Sequence, residues 1–375
     1  MSKISAVLKT IEKKMPKIIG QIEESGIVKR IKVDSPQLSF MFGGGLPVGR
    51  IIRFRGPESS GKSILCNYCA AQLQKRLPEY IGNPEKKVVV YVDFERTFVK
   101  DFAEQVGIIT DDEHFIHLLP DDIESANDVL MDLIKTDEVC AVILDSDAAA
   151  PTRASYIDPA GKATFGGQAK ALGEMIRKLN ILCANYNTTL FWISQERVAM
   201  NIMAKLPSVT GGEAPKFYAS VVNRVTKTDV IKNGNDTIGI ALRCRNYKNK
   251  CGVPFRDAEM KLYYNGGFDS DEEYIDFLVN FGLIEQKGAY FKSEKWDFSL
   301  QGRAKLLEWL HEHEDVYTKL KEEVDELLTK EGVLDANNVA EEEDIDFKSL
   351  NNHSSAVDNI VDEIIEEQSV YETTT

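Results

Sequence analysis

Gly56-Pro57-Glu58-Ser59-Ser60-Gly61-Lys62-Ser63 is the stretch on which the reading of this chain turns. It satisfies G-x-x-x-x-G-K-[ST]. A β-branched run, Ile51-Ile52-Arg53-Phe54-Arg55, precedes it as a strand, and a helical pattern from Lys62 (Ile64, Leu65, Tyr68, Ala71) follows. Glycines let the backbone curl until successive N–H groups face one anion, and the helix N-terminus adds partial positive charge. In such a loop the lysine reaches the β- and γ-phosphates, and the closing hydroxyl holds Mg²⁺. Gly56, Pro57, Glu58, Ser59, Ser60, Gly61, Lys62 and Ser63 are therefore the candidate cradle for a nucleoside triphosphate.

Working outward, 375 residues allow one large α/β domain with small appendages. A hydrophobic content of 43% and a charged content of 28% are those of a soluble globular chain. No run of eighteen uncharged apolar residues exists, and the start, Met1-Ser2-Lys3-Ile4-Ser5, lacks a signal-peptide core. The expectation is a cytoplasmic protein with no membrane partner. Cys66 and Cys69 form a C-x-x-C with no second ligand pair, so ordinary buried thiols are expected rather than zinc. The net charge of −15 is concentrated at one end. Residues 341–375 hold eleven acids against one base, Lys348, which leaves about −5 for the first 340 residues. A solvated acidic tail is expected there, and the body remains free to carry a basic stripe.

Residues 4–25 read as an amphipathic helix, with Pro16 as a kink or break, packed on its own domain or docked on a neighbouring copy. The centre alternates buried strands (51–55, 88–92, 140–144, 189–194) with helices (62–76, 98–106, 125–135, 167–186), which predicts a largely parallel sheet covered on both faces. A hairpin is expected over 221–231 and 237–245 around Asn233-Gly234-Asn235, with a further strand over 258–264. Beyond Asn265-Gly266-Gly267 a compact αβ patch is expected, with helices near 271–281, 299–313 and 315–330.

Several polar groups fall at strand ends beside the loop. Asp145 closes an apolar strand, where an aspartate supports the Mg²⁺ shell or caps a turn. Asp93 and Glu95 follow another strand, and a carboxylate there can orient and deprotonate the attacking water. Alternation does not separate them, since residues two apart face the same way. Gln195 follows a third strand, and an uncharged amide suits a γ-phosphate sensor. Residues 153–166 (Arg153, Lys162) and 196–212 (Arg197, Met200, Ile202, Met203, Lys205) read as two long loops, whose basic and apolar side chains suit a flexible polymer.

Further segments complete a resemblance to the bacterial RecA family of homologous recombinases. Thr210-Gly211-Gly212-Glu213-Ala214-Pro215-Lys216-Phe217-Tyr218-Ala219-Ser220 is similar to the stretch after that family's second DNA-binding loop. Lys248-Asn249-Lys250-Cys251-Gly252-Val253-Pro254-Phe255 resembles its KNK-x-x-x-PF segment, and Gln301-Gly302-Arg303-Ala304 with Trp309-Leu310 resembles its small C-terminal domain more loosely. The resemblance runs from roughly residue 30 to 330, and the N-terminal helix points to a phage-type or divergent member.

The resemblance implies a RecA-like phosphate-loop core over 34–267, preceded by an oligomerising helix and linker (1–33) and followed by a small αβ domain (268–334) and the tail (335–375). It also implies a DNA-dependent ATPase using ATP and Mg²⁺ that forms a helical filament on single-stranded DNA and exchanges strands with homologous duplex DNA. Single-strand-binding and loading proteins are implied as further partners. A ring-forming helicase on the same core and a recombinase-loading paralogue are the alternatives. By resemblance Glu95 is the catalytic glutamate, Gln195 couples the γ-phosphate to the second loop, Phe102 packs on adenine, and Lys248 and Lys250 reach the γ-phosphate bound by the adjacent protomer. Arg177 and Lys170 match DNA-facing basic positions, and Gly211 and Gly212 belong to the DNA-loop stretch. Val99 stands where the family usually has an aspartate that contacts adenine, and Ser63 replaces the commoner threonine but keeps the hydroxyl. Tyr156-Ile157-Asp158 replaces an acidic-rich run, so no detail of strand separation carries over. The acidic tail competes with DNA for basic groups or keeps the chain soluble.

Overall fold

The computed structural model describes residue 4 and residues 28–157, 167–197, 208–209, 217–264 and 267–332. Apart from Ile4, the helix expected over 4–25 lies outside the described residues, as does the tail. Among the described residues the strands are β1 (Arg30–Ile31), β2 (Leu46–Pro47), β3 (Ile51–Gly56), β4 (Val88–Asp93), β5 (Phe115–Leu118), β6 (Val139–Asp145), β7 (Thr189–Arg197), β8 (Ser208–Val209), β9 (Val221–Asn233), β10 (Asp236–Asn249), β11 (Asp257–Tyr263), β12 (Gly267–Phe268), β13 (Glu285–Lys287), β14 (Tyr290–Ser293) and β15 (Phe298–Gln301). The helices are α1 (Pro36–Phe42), α2 (Lys62–Ile81), α3 (Lys100–Gln105), α4 (Ile123–Lys135), α5 (Arg153–Ile157), α6 (Gly167–Asn185), α7 (Asp271–Asn280), α8 (Arg303–Glu312) and α9 (Glu314–Gly332).

One large sheet runs β12-β11-β10-β9-β3-β7-β6-β4-β5, with β8 paired onto β7. From β5 to β9 the neighbours on this path are parallel, and β10, β11 and β12 continue antiparallel. The strands alternate between two cores, as a period of two requires. Ile52, Phe54, Val89, Tyr91, Ile143 and Phe191 pack with Leu65, Cys69 and Leu73 of α2 on one face. Ile51, Val90, Val142, Leu144 and Trp192 pack with Leu130 of α4 and Met175 and Leu179 of α6 on the other. All six cysteines are buried and free. No described helix is long and apolar enough to cross a membrane.

The register brings the carboxyl ends of the central strands level. Gly56 of β3 pairs with Gln195 of β7, and Asp93 of β4 pairs with Asp145 of β6. Open α/β sheets bind ligands at this edge.

A third core, built around Tyr274, Phe277, Leu278, Phe291, Phe298, Leu310, Leu320 and Leu328, belongs to α7–α9 and the sheet β13-β14-β15. It meets the main body through α1, where the rings of Phe40 and Phe277 lie 5.9 Å apart. Phe268 pairs with Leu262, so the main sheet reaches one residue past the boundary expected at 267.

Several expected elements differ. Residues 298–301 are strand rather than the start of a helix over 299–313, because Gly302 at φ 88°, ψ 151° breaks the helical path. Burial alternates from Phe298 to Gln301, as a strand demands. The helix after the phosphate loop runs to Ile81, past the expected end at 76, because Pro78 falls in its last turn and forfeits a single bond. Residues 153–157 form α5 within the first expected loop. In the second, Glu196 and Arg197 remain strand and pair with Val209 and Ser208.

Candidate active site

The loop from Gly56 to Ser63 joins β3 to α2, and two glycines are fixed by contact. A Cβ on Gly56 would stand 2.2 Å from the Val225 carbonyl oxygen, and one on Gly61, at φ 88°, 2.9 Å from the Leu242 side chain. Only glycine permits this approach of loop to sheet. The Lys62 ammonium is buried and donates to the carbonyls of Pro57 at 2.5 Å and Gly56 at 3.2 Å. Burial lowers its pKa, while Asp145 and Glu95 oppose the shift. The Ser60 hydroxyl is buried in the loop without a protein partner.

Asp145 receives two hydrogen bonds on Oδ2, from the Ser63 hydroxyl at 2.7 Å and from the Tyr91 hydroxyl at 2.6 Å. Burial raises its pKa, and those two bonds pull it down. The all-oxygen pair Ser63 and Asp145 fits a hard cation that completes its shell with water and phosphate oxygens. Glu95 lines the same cavity as Lys62 and Asp145. Its Oε1 accepts from the Gln195 amide at 2.7 Å and from the Ser146 hydroxyl. Catalytic candidate and sensor candidate are thus joined directly.

Asp93 and Glu95 separate sharply. Asp93 is 1% exposed, and it accepts from the Thr97 and Phe98 N–H groups at 3.2 and 3.0 Å and faces His117 at 3.2 Å. It caps the turn after β4. Glu95 instead lines a cavity of about 320 Å³ together with the loop, Asp145 and Gln195. The cavity is also lined by the apolar side chains of Ile64, Phe98, Val99 and Phe102. Phe102 is 52% exposed, which leaves a ring face open at the mouth.

Lys248 and Lys250 lie elsewhere. Lys248 on β10 pairs with Val222, which pairs with Arg53, three residues before Gly56. Three residues along and two strands across put it roughly 14 Å from its own loop. Lys250 follows just past the end of β10 and is exposed.

Among the DNA-binding candidates, Arg153 is turned back on α4, pairing with Asp122 at 3.5 Å and donating to Ser125 at 3.2 Å. Lys170 and Arg177 are exposed on α6, seven residues apart on one face. The backbone of Arg197 ends β7. Lys162, Met200, Ile202, Met203, Lys205, Gly211 and Gly212 lie outside the described residues.

Sequence reading missed Tyr91 and Ser146, which orient Asp145 and Glu95. A tyrosine inside the valine run 88–92 was the available signal. It also missed Asp147, fully buried, which accepts from Ser194 at 2.6 Å and pairs with Arg53 at 3.4 Å. Burial pushes its carboxyl up to about 6. This pair ties the loop after β6 to β3 and β7. Glu196, beside Gln195, is held by the Arg224 guanidinium at 3.0 Å and by Arg55 at 3.6 Å.

Fold and site together define an α/β phosphate-loop nucleotide-binding core. Residues 2–269 match the RecA N-terminal domain. The chain is 31% identical over 355 residues to Protein RecA of Trichormus variabilis, covering 92% of this chain and 95% of that protein. It is 32% identical over 289 residues to Protein RecA of Mycoplasma mycoides, covering 77% and 80%. To Protein RecA of Acidothermus cellulolyticus it is 33% identical over 286 residues, covering 76% and 79%. The chain belongs to the RecA family of ATP-dependent DNA recombinases, a family of DNA-dependent ATPases.

Proposed function

We propose that this chain assembles head to tail on single-stranded DNA with ATP at each protomer junction, then pairs the strand with homologous duplex. The observation that carries this reading is the direct bond from Gln195 to Glu95 beside Lys62. One group that responds to the γ-phosphate thereby controls the group that activates water. Lys62 and the loop N–H groups hold the phosphates, and Ser63 with Asp145 holds Mg²⁺, which neutralises phosphate charge when bound. Glu95 takes the proton of the attacking water. Phe102 packs on the base.

The distance of Lys248 and Lys250 from their own loop supports their acting on a neighbour's γ-phosphate, as an arginine finger does in trans. Gln195 leads through Glu196 and Arg197 into residues 198–207, so phosphate occupancy is felt at the second DNA loop. Lys170 and Arg177 supply backbone charge to the strand, with Lys162, Arg197, Met200, Ile202, Met203, Lys205, Gly211 and Gly212 contributed by the loops. Arg153 joins them only on leaving Asp122. Base pairing, not side chains, supplies sequence specificity. The division into 1–33, 34–267, 268–334 and 335–375 and a cytoplasmic site of action belong to the same reading. Electron microscopy with single-stranded DNA and a slowly hydrolysed ATP analogue tests it. Helical filaments are expected; closed rings would overturn it in favour of a translocating helicase.

A further inference from the structure

The two donors that hold Glu95 arrive from different strands. Ser146 follows β6 and Gln195 stands in β7, and both bond the same carboxylate oxygen. Their chain neighbours, Asp147 and Ser194, bond each other, the Ser194 hydroxyl donating to Asp147 Oδ2 at 2.6 Å. Glu95, Gln195, Ser194, Asp147 and Ser146 thus close a ring of three hydrogen bonds and two peptide links. The ladder between β6 and β7 ends at Leu144 and Trp192, so Ile193, Ser194 and Gln195 have no partner on β6. Asp147 supplies that grip instead. Its N–H donates to the Ile193 carbonyl at 3.2 Å, and its carboxylate takes the Ser194 hydroxyl. On the other side, β3 holds Gln195 opposite Gly56. Arg53 of β3 clamps the bond, donating from Nε to the Ser194 hydroxyl at 2.7 Å and meeting Asp147 Oδ2 at 3.4 Å. Arg53, Asp147 and Ser194 are all buried, and none of the three lines the cavity. Ile51 and Trp192, two residues before Arg53 and Ser194, pack in the core of α4 and α6. The cluster therefore stands behind the site. A buried ion pair is a poor source of net stability, because desolvation offsets the attraction. What this one fixes is where the end of β7 stands against the turn after β6.

We propose that Asp147 and Ser194 are positioning residues for Glu95. The inference rests on the reading of Glu95 as the base that activates water. The Ser194–Asp147 bond sets the spacing between Gln195 and Ser146, and that spacing fixes the carboxylate both of them hold. Without it the end of β7 loses its grip on the β6 side, and Glu95 loses its orientation. Proton abstraction is sensitive to such placement, since a shift of about 1 Å can cost on the order of 100-fold. Phosphate binding is left alone, because Lys62, Ser63 and the loop N–H groups are carried by β3 and α2.

The test compares Ser194→Thr with Ser194→Val in the full-length chain. The two side chains share a shape, and only threonine keeps the hydroxyl. Phosphate release is followed on single-stranded DNA across a range of ATP concentrations. Ser194→Val is expected to turn over about tenfold more slowly than Ser194→Thr, with KM for ATP within about twofold. Equal turnover by the two variants overturns the inference, since shape alone would then explain any loss. A KM that rises in Ser194→Val while kcat holds also overturns it. Should Ser194→Val not fold, Ser194→Ala is set against wild type, with the same tenfold loss in kcat expected and the same outcomes overturning. Near-normal turnover by Glu95→Gln in this assay overturns the reading of Glu95 as the base, a distinct failure.

Discussion

The two ends of the main sheet differ in kind. At the carboxyl ends of β3, β4, β6 and β7, the candidate groups hold one another: Lys62 bonds its own loop, Asp145 takes Ser63 and Tyr91, and Glu95 takes Gln195 and Ser146. At the opposite end of the sheet, Lys248 and Lys250 stand on the last residues of β10 and just beyond it, three residues upstream of the loop and two strands away. Burial lowers the pKa of Lys248, with Lys250 adding repulsion. The first end is an interlocked site that one protomer can preform. On the proposed reading the second is the complement to another protomer's site, so that nucleotide binding belongs to the monomer and hydrolysis to the assembly.

The largest effect expected lies at the interlocked end. Glu95→Gln keeps the hydrogen-bonding shape but removes the base, and DNA-stimulated phosphate release should fall at least roughly 100-fold with ATP affinity retained. Near-normal turnover would remove Glu95 from the chemistry. Next comes the remote end. Lys248→Ala with Lys250→Ala should cut DNA-stimulated hydrolysis by at least roughly tenfold while the isolated protomer still binds ATP. Mixing sharpens the comparison. In an equal mixture of this double variant with Glu95→Gln, head-to-tail contacts pair an intact loop with intact lysines at about a quarter of the junctions. Recovery of about a quarter of the wild-type rate is expected; no recovery above the sum of the two parents would mean that the two ends do not form one site.

What was legible in the sequence divides along the same line. The strands β3, β4, β6 and β7 are apolar β-branched runs buried on both faces, and such runs declare themselves. The loop follows from a motif whose spacing is tied to its backbone, and Asp145 from the end of an apolar strand. The choice between Asp93 and Glu95 was not legible from residues, because positions two apart on a continuing strand would project from the same side. It is made by the turn after Phe94, where Arg96 adopts φ 59° and brings the Thr97 and Phe98 N–H groups onto Asp93. Tyr91 reads as core because it sits in an otherwise apolar run, and only the structure reveals that its hydroxyl meets Asp145. In the C-terminal unit the strands are three or four residues long, and Phe298 and Leu300 blend into the apolar spacing of α8 until Gly302 is known to break it.

The smallest effect concerns the joint between the C-terminal unit and the body that carries both ends. Glu273 of α7 is buried there, accepting from the Ser35 hydroxyl at 2.5 Å and the Gln37 N–H at 3.3 Å, with its other oxygen unpaired. Burial pushes its carboxyl from the ordinary 4.5 up to about 8, against those bonds, and Asp269 and Asp276 add to the rise. An acid raised on folding contributes its stability in full below its unfolded value and loses it as pH climbs to the folded one. The joint should therefore weaken between about pH 4.5 and pH 8. Glu273→Gln keeps an uncharged side chain of the same shape, so its melting temperature should match wild type near pH 5 and exceed it by roughly 3 °C at pH 8. Taking the difference between the two proteins cancels the other titrating groups at this joint, Asp34, Asp271 and Asp325. Parallel melting curves across that range would mean that Glu273 remains charged and that the joint is not weakened by its ionisation.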